Sequence, residues 1–233
     1  MGKILIAIKN IYTQRPGENF LKEDAFAPIL LSDPVSIPLA RFLSKFRKIH
    51  PNYITLLSIP FAFAAAYMFM TDNLAYGAIF YWLNFVLDGT DGKVARLTGT
   101  TSKFGAKLDY YTDTLNNLAM YFGLWWSQYY MYGDGLAGGT IIFAHYASMV
   151  FCYLLIGDFA YKTIFPRVYS YYSPFEEAFG TFFFAPLLNI VRIFLPILVA
   201  LQFVSYIVLF IRRREKLNTE ELKRRIKKML KLG

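Results

Sequence analysis

The amino-acid sequence predicts an all-α integral membrane protein, with six transmembrane helices preceded by an interfacial amphipathic helix. Hydrophobic residues make up 56% and aromatic residues 19% of the 233 residues. They gather in apolar stretches close to the ~20 residues that a spanning helix needs. No stretch has the composition of a second soluble domain, so one membrane domain is expected.

The six apolar stretches give the domain organisation. They lie at residues 53–71, 75–87, 110–131, 139–157, 175–191 and 193–211. The second and third are expected to extend past the bilayer surface as long helices, 75–98 and 104–131, and Pro186 interrupts the fifth. We therefore divide the chain into a cytosolic N-terminal segment (1–52), a transmembrane catalytic domain (53–211) and a basic cytosolic tail (212–233).

The segment before the first span predicts a helix that lies on the membrane surface. In residues 35–49 the apolar side chains recur at helical spacing and alternate with basic ones. The apolar members are Leu39, Phe42, Leu43 and Phe46, and the basic ones are Arg41, Lys45 and Lys48. This pattern is typical of an interfacial helix; the alternative, a soluble cap, requires another apolar surface to cover it.

The charges predict the orientation. With six spans and both termini on one side, every Lys and Arg except Arg192 falls on that side, whereas Asp72 and Asp134 lie in the opposite loops. The positive-inside rule puts the termini in the cytoplasm of a multi-pass protein, together with the charged ends of the second and third predicted helices. Topology and attraction to anionic lipids account for the net charge of +9, so no nucleic-acid partner is predicted.

Four aspartates at the ends of the second and third stretches are the main functional signal. Asp88 and Asp91 are three residues apart on one helix, and Asp109 and Asp113 are four apart on the next, so each pair shares a face. A carboxylate at membrane depth costs a few kcal/mol and usually marks a functional site. An all-oxygen cluster suits Mg²⁺ or Mn²⁺.

The residues around the aspartates predict a diphosphate ligand. Gly92, Ala95 and Gly105 are small where a ligand or helix must approach closely. Arg96 offers a bidentate donor for phosphate one turn away. We therefore expect a diphosphate held by two metal ions and an arginine.

Two other interpretations of the aspartates compete with a diphosphate site. They could pair with lysines, but Lys93, Lys103 and Lys107 are expected to extend into cytosolic water at lower cost. They could also line the path of a divalent-cation transporter. A transporter has no need for small residues and an arginine at fixed spacing, and its path should cross the bilayer rather than gather at one face.

The pattern resembles the motif of the CDP-alcohol phosphotransferase family of integral membrane enzymes. Every defined position is matched by Asp88-x2-Asp91-Gly92-x2-Ala95-Arg96-x8-Gly105-x3-Asp109-x3-Asp113. The resemblance implies transfer of a phospho-alcohol group from a CDP-alcohol, usually a CDP-lipid, to the hydroxyl of a second alcohol, with release of CMP. It also implies a homodimer.

The resemblance further implies roles for single residues. Asp88 and Asp109 would bridge two metal ions, Asp91 would complete the shell of one, and Asp113 would bind the other and act as general base. The nucleotide would contact seven positions: Asn52, Thr55, Gly92, Ala95, Arg96, Ser102 and Gly105. For Asn52 the other interpretation is a helix cap.

The acceptor alcohol is not specified by the shared motif. Inositol phosphate, glycerol phosphate, serine and diacylglycerol are acceptors in the family, and the segment from Asp33 to Thr55 resembles the branch that uses inositol phosphate. A phosphorylated acceptor needs cations, for which Lys162, Arg167 and Arg212 are candidates. Each of the three could instead be a topology anchor, an interpretation that is stronger for Arg212.

Overall fold

The computed structural model describes residues 28–46, 49–131, 133, 178–198, 200, 201 and 204. These residues form helices and contain no strand, which confirms the all-α class for the described part of the chain. The predicted fourth stretch, 139–157, and the basic segment 212–233 lie outside it. Six spans therefore stay a prediction.

The helix that the sequence predicts before the first span is shorter than expected. A π-helical turn, Pro28–Ser32, leads into α1, Asp33–Leu43. The prediction of 35–49 was wrong at both ends, since α1 begins two residues earlier and ends at Leu43. At its end the Ser44 hydroxyl donates to the carbonyl of Arg41 at 3.0 Å, a local bond that competes with helix continuation.

Helix α2, Pro51–Met70, starts with a proline at its first position and has His50 as its N-cap. The His50 Nδ1 accepts from the backbone N–H of Asn52 at 3.2 Å. In the described part of the chain, α2 is the one helix that is long and apolar enough to cross a membrane. The two helices that follow also have the length, but they carry the charged motif.

Helices α3, Leu74–Thr98, and α4, Lys103–Trp126, are the long helices predicted at 75–98 and 104–131. Gly99 ends α3 with φ +67°, a left-handed conformation that suits glycine. The last five residues predicted for the third helix form a π-helical turn, Ser127–Met131. The site residues of α3 and α4 therefore lie on either side of a short connection.

Helix α2 packs between α3 and α4 and holds them in place. A Cβ on Gly123 of α4 would lie 2.3 Å from the backbone oxygen of Ala66, so α2 and α4 approach to backbone contact. On the side of α3, a Cβ on Gly77 would lie 2.4 Å from the ring of Phe69. This ring is fully buried and also packs against Phe182, with ring centroids 6.3 Å apart.

Phe182 belongs to a π-helical turn, Gly180–Phe184, that continues as Ala185–Leu187. The break in the predicted fifth stretch comes after Pro186, where Asn189 has φ +55°, and helix 191–198 follows.

Candidate active site

The aspartates of α3 and α4 form an acidic cluster. Carboxylate oxygens of Asp88, Asp91 and Asp109 lie within 4.8 Å of one another. The side chains of Asp88 and Asp113 share a hydrogen bond, which brings the fourth aspartate to the same place. The spacing of three residues on α3 and four on α4 therefore aims both pairs at one point.

The donor set of this acidic cluster fits a hard divalent cation. Asp91 is only 5% exposed, and Asp88 and Asp109 are half-buried. Carboxylates this close repel one another and must be compensated by protons or by cations. Oxygen-only ligands from several carboxylates are those that Mg²⁺ and Mn²⁺ prefer.

Helix α2 contributes a hydroxyl to the acidic cluster. The Thr55 Oγ1 donates to Asp91 Oδ2, and both residues are buried. The backbone N–H of Gly92 also bonds to the Asp91 carboxylate. Sequence reasoning assigned Thr55 to the nucleotide, whereas here it orients a carboxylate of the candidate metal site.

Gly92 gives Arg96 the room to fold back toward the aspartates. A Cβ on Gly92 would lie 3.3 Å from Arg96 Nη1, a contact tighter than most. The guanidinium is attracted by Asp91 and by Asp33 of α1. The arginine predicted to hold phosphate therefore lies at the rim of the acidic cluster, over a residue without a side chain.

Three of the predicted nucleotide residues meet where α4 begins. Ser102 is the N-cap of α4, and its Oγ accepts from the backbone N–H of Gly105 at 2.9 Å. A Cβ on Gly105 would lie 3.3 Å from Asn52 Oδ1. The alternative prediction that Asn52 caps α2 was wrong, because His50 is the capping residue and the Asn52 side chain points toward Gly105.

The expectation that Lys93 extends into cytosolic water was wrong. The Lys93 side chain is only 7% exposed, and its Nζ lies 2.9 Å from Asp33 Oδ1. It also donates to the carbonyl of Gly89 at 2.8 Å. Lys103 and Lys107 are exposed, as expected.

The model of the CDP-alcohol phosphatidyltransferase family matches residues 48–223, three quarters of the chain. The chain belongs to this family. The matched region includes the acidic cluster, Arg96, Ser102 and Gly105.

Curated relatives of this family member are inositol phosphate lipid synthases by name. A phosphatidylinositol phosphate synthase from Mycobacterium tuberculosis is 33% identical over 53% of this chain and 54% of its own length. An archaetidylinositol phosphate synthase from Pyrococcus horikoshii is 36% identical over 33% of this chain and 40% of its own. The chain thus spans about half the length, or less, of these relatives.

Sequence reasoning missed a buried polar network one helical turn away from the acidic cluster of this family member. The Asn84 Nδ2 donates to the Ser58 carbonyl at 3.1 Å, and the Asn116 Nδ2 donates to Ser58 Oγ at 3.2 Å. The signal was present, since Asn84 lies four residues before Asp88 and Asn116 three after Asp113. The network links all three helices that carry the site.

The three predicted acceptor residues, Lys162, Arg167 and Arg212, lie outside the described residues. Their assignment rests on the sequence.

Proposed function

We propose that this protein is a phospholipid-synthesising transferase. It moves a phosphatidyl-type group from a CDP-lipid to the hydroxyl of a second alcohol and releases CMP. The observation that carries this proposal is the acidic cluster, in which the aspartates of the family motif converge next to Arg96. Family membership over residues 48–223 supports the same reaction class.

The aspartates take the roles that the motif implies. Asp88 and Asp109 would each serve both of two Mg²⁺ or Mn²⁺ ions, Asp91 would serve one ion and Asp113 the other. Bound ions would neutralise the diphosphate and stabilise charge on the entering and leaving oxygens. Thr55 holds Asp91 in its ligating orientation, and Arg96 binds phosphate at the rim.

The reaction balances without a further reagent. The acceptor hydroxyl oxygen forms a bond to the β-phosphorus of the donor, and the bond from that phosphorus to the CMP oxygen breaks. In this proposal the hydroxyl proton passes to the carboxylate of Asp113, which shares a hydrogen bond with Asp88. CMP leaves with the bonding electron pair as the phosphate dianion and needs no protonation.

The nucleotide occupies the space over the small residues. Gly92 and Ala95 leave room for the cytidine and its ribose, and Asn52, Ser102 and Gly105 border it at the start of α4. The meeting of Asn52 Oδ1 and the Gly105 backbone supports this position, since a larger side chain at Gly105 would fill the space.

The acceptor we propose is inositol phosphate. The named relatives are synthases of inositol phosphate lipids, and the segment from Asp33 to Thr55 resembles the same branch. Lys162, Arg167 and Arg212 would bind its phosphate from the cytosolic side. Transfer to a lipid alcohol such as diacylglycerol is the alternative within this class.

The membrane arrangement follows the sequence. We propose six spans, with the acidic cluster facing the cytoplasm and α1 lying on the inner leaflet. Phe42 of α1 and Phe46 just after it are about half exposed, and their ring centroids lie 5.2 Å apart. The two rings form an exposed apolar surface, which supports a position against lipid. The protein acts as a homodimer in this proposal.

An acceptor screen tests the function directly. Purified protein with Mg²⁺ and CDP-diacylglycerol is expected to release CMP with inositol phosphate, and less or none with glycerol phosphate, serine, inositol or diacylglycerol. Lys162→Ala and Arg167→Ala should each raise the KM for inositol phosphate by roughly 10-fold or more, the loss of one charge-assisted contact of about 1.5 to 3 kcal/mol.

The KM for the CDP-lipid donor is the control for the Lys162→Ala and Arg167→Ala variants. The KM for the CDP-lipid should stay nearly unchanged in both variants, because Arg96 and the metal ions hold its diphosphate. CMP release with serine or diacylglycerol alone would contradict the acceptor and leave the reaction class standing. Metal flux in liposomes without CMP release would contradict the reaction class and favour a transporter.

Thr55→Val is expected to lower kcat/KM by roughly 10- to 100-fold, the usual cost of losing a group that orients a metal ligand. The substitution keeps the shape of the side chain and removes the hydroxyl that donates to Asp91. Thr55→Ser is the matched control and should retain most activity in the same CMP-release assay. Equal activity of the valine and serine variants would show that the hydroxyl does not orient Asp91.

A further inference from the structure

A buried ion pair joins α1 to the catalytic helix α3. Asp33, the first residue of α1, is paired with Lys93 at 2.9 Å, and both side chains are less than a tenth exposed. The start of α1 touches α3 beside this pair, because a Cβ on Gly89 would lie 3.0 Å from the Oγ of Ser32, the N-cap residue of α1. Gly89 follows Asp88 directly, so the contact borders the acidic cluster.

The same lysine is within electrostatic reach of the acidic cluster. Lys93 attracts the carboxylate of Asp88, and it lies two residues after Asp91 on α3. Asp33 also attracts Arg96, the cation at the rim. The carboxylate of α1 is thus shared by the two cations of α3 that flank the candidate metal ligands.

A lysine next to a cluster of carboxylates competes with a metal ion. Its ammonium group rests on a flexible four-carbon chain and can reach an unneutralised carboxylate within a few ångströms. An ammonium group that is already paired and hydrogen-bonded, here to Asp33 and to the Gly89 carbonyl, has less to gain by moving. Asp33 therefore affects the charge that the acidic cluster presents to a cation.

We propose that Asp33 is a positioning residue which holds Lys93 away from the aspartates, so that docking of α1 on α3 keeps the acidic cluster available to metal. The inference rests on the proposed metal role of the acidic cluster. It gives α1 a second function besides contact with lipid, because the same helix that lies on the membrane carries the partner of Lys93.

Direct metal binding tests the inference without relying on turnover. The full-length protein in detergent is titrated with Mn²⁺, and free Mn²⁺ is followed by electron paramagnetic resonance. Asp33→Asn is expected to weaken Mn²⁺ binding by roughly 10-fold, at the lower end of what loss of a residue supporting a metal site costs. Asp72→Asn, the same change at the opposite end of α3, should bind Mn²⁺ like the wild type.

The decisive variant combines Asp33→Asn with Lys93→Met. Removing the released lysine should restore Mn²⁺ binding to within about twofold of the wild type, the usual scatter of independent effects. Lys93→Met alone should bind Mn²⁺ at least as tightly as the wild type. Replacing both members of a buried pair also removes the cost of an unpaired buried charge, so thermal unfolding of Asp33→Asn and of the double variant is measured beside Mn²⁺ binding. Weakened Mn²⁺ binding in an Asp33→Asn variant as stable as the double variant supports the role of Asp33, and a loss of binding that follows only a loss of stability contradicts it.

The outcomes distinguish a failure of the role proposed for Asp33 from a failure of the metal role proposed for the acidic cluster. A double variant that binds Mn²⁺ as weakly as Asp33→Asn, or an Asp33→Asn variant that binds like the wild type, overturns the role of Asp33 and leaves the metal site intact. A wild-type protein that binds no Mn²⁺ overturns the metal role of the acidic cluster itself.

Discussion

Asp88→Asn and Asp109→Asn are each expected to reduce CMP release by ~10³-fold or more. Asparagine keeps the size of the side chain and removes the negative charge. If the carboxylates bridge the ions as proposed, the transition state loses several kcal/mol of stabilisation. The measurement is CMP release from CDP-diacylglycerol under saturating Mg²⁺, with the monodispersity of each variant checked first.

Asp72→Asn is the control, because it makes the same aspartate-to-asparagine change outside the acidic cluster. Asp72 lies before the other end of α3 and has φ +60°, a conformation that asparagine adopts well, so its variant should keep near wild-type activity. If Asp88→Asn or Asp109→Asn kept activity within a few-fold of wild type, the carboxylate replaced in that variant would not bridge the ions.

Gly123→Ala is expected to have the largest effect on stability. The added methyl group would lie 2.3 Å from the backbone oxygen of Ala66 and 2.9 Å from its carbonyl carbon. Backbone cannot move aside as a side chain does, so α2 and α4 must separate, at a cost of about 1 to 3 kcal/mol or more. Thermal unfolding in detergent should show a clear loss.

Activity should fall in the same variant. Helix α2 carries Thr55 and α4 carries Asp109 and Asp113, so separating the two helices also loosens the acidic cluster. Gly77→Ala is the matched comparison, because its methyl group would meet side-chain atoms of Phe69 and not the backbone of another helix. It should lose less stability. A Gly123→Ala variant as stable as the wild type would contradict the backbone contact, since alanine otherwise favours a helix by up to ~1 kcal/mol over glycine.

The all-α class and the long helices α3 and α4 could be predicted from the sequence, because they depend on local properties. The period of the apolar residues sets the helices, and Gly99 and Ser102 mark where α3 ends and α4 begins. The convergence of Asp88, Asp91, Asp109 and Asp113 was also predictable, since two spacings on two consecutive helices imply one meeting point.

The partners across helices could not be predicted in this way. Thr55 bonds to Asp91 and Asp33 pairs with Lys93, contacts between residues 36 and 60 positions apart along the chain. Such contacts depend on how the helices pack, which no local pattern encodes. Sequence reasoning accordingly placed Lys93 in water, where an unpaired lysine would lie at low cost, and could not see that α1 brings it a carboxylate.

The sequence by itself determined the helical class, the family motif and the four acidic residues that carry the proposed chemistry. Only the tertiary structure decided which residues serve those aspartates: Thr55 from α2, the Ser58 network between helices, and Asp33 from α1. The physical reason is that a carboxylate in an apolar helix signals a site wherever it stands, whereas its orientation and charge depend on neighbours that only packing brings near.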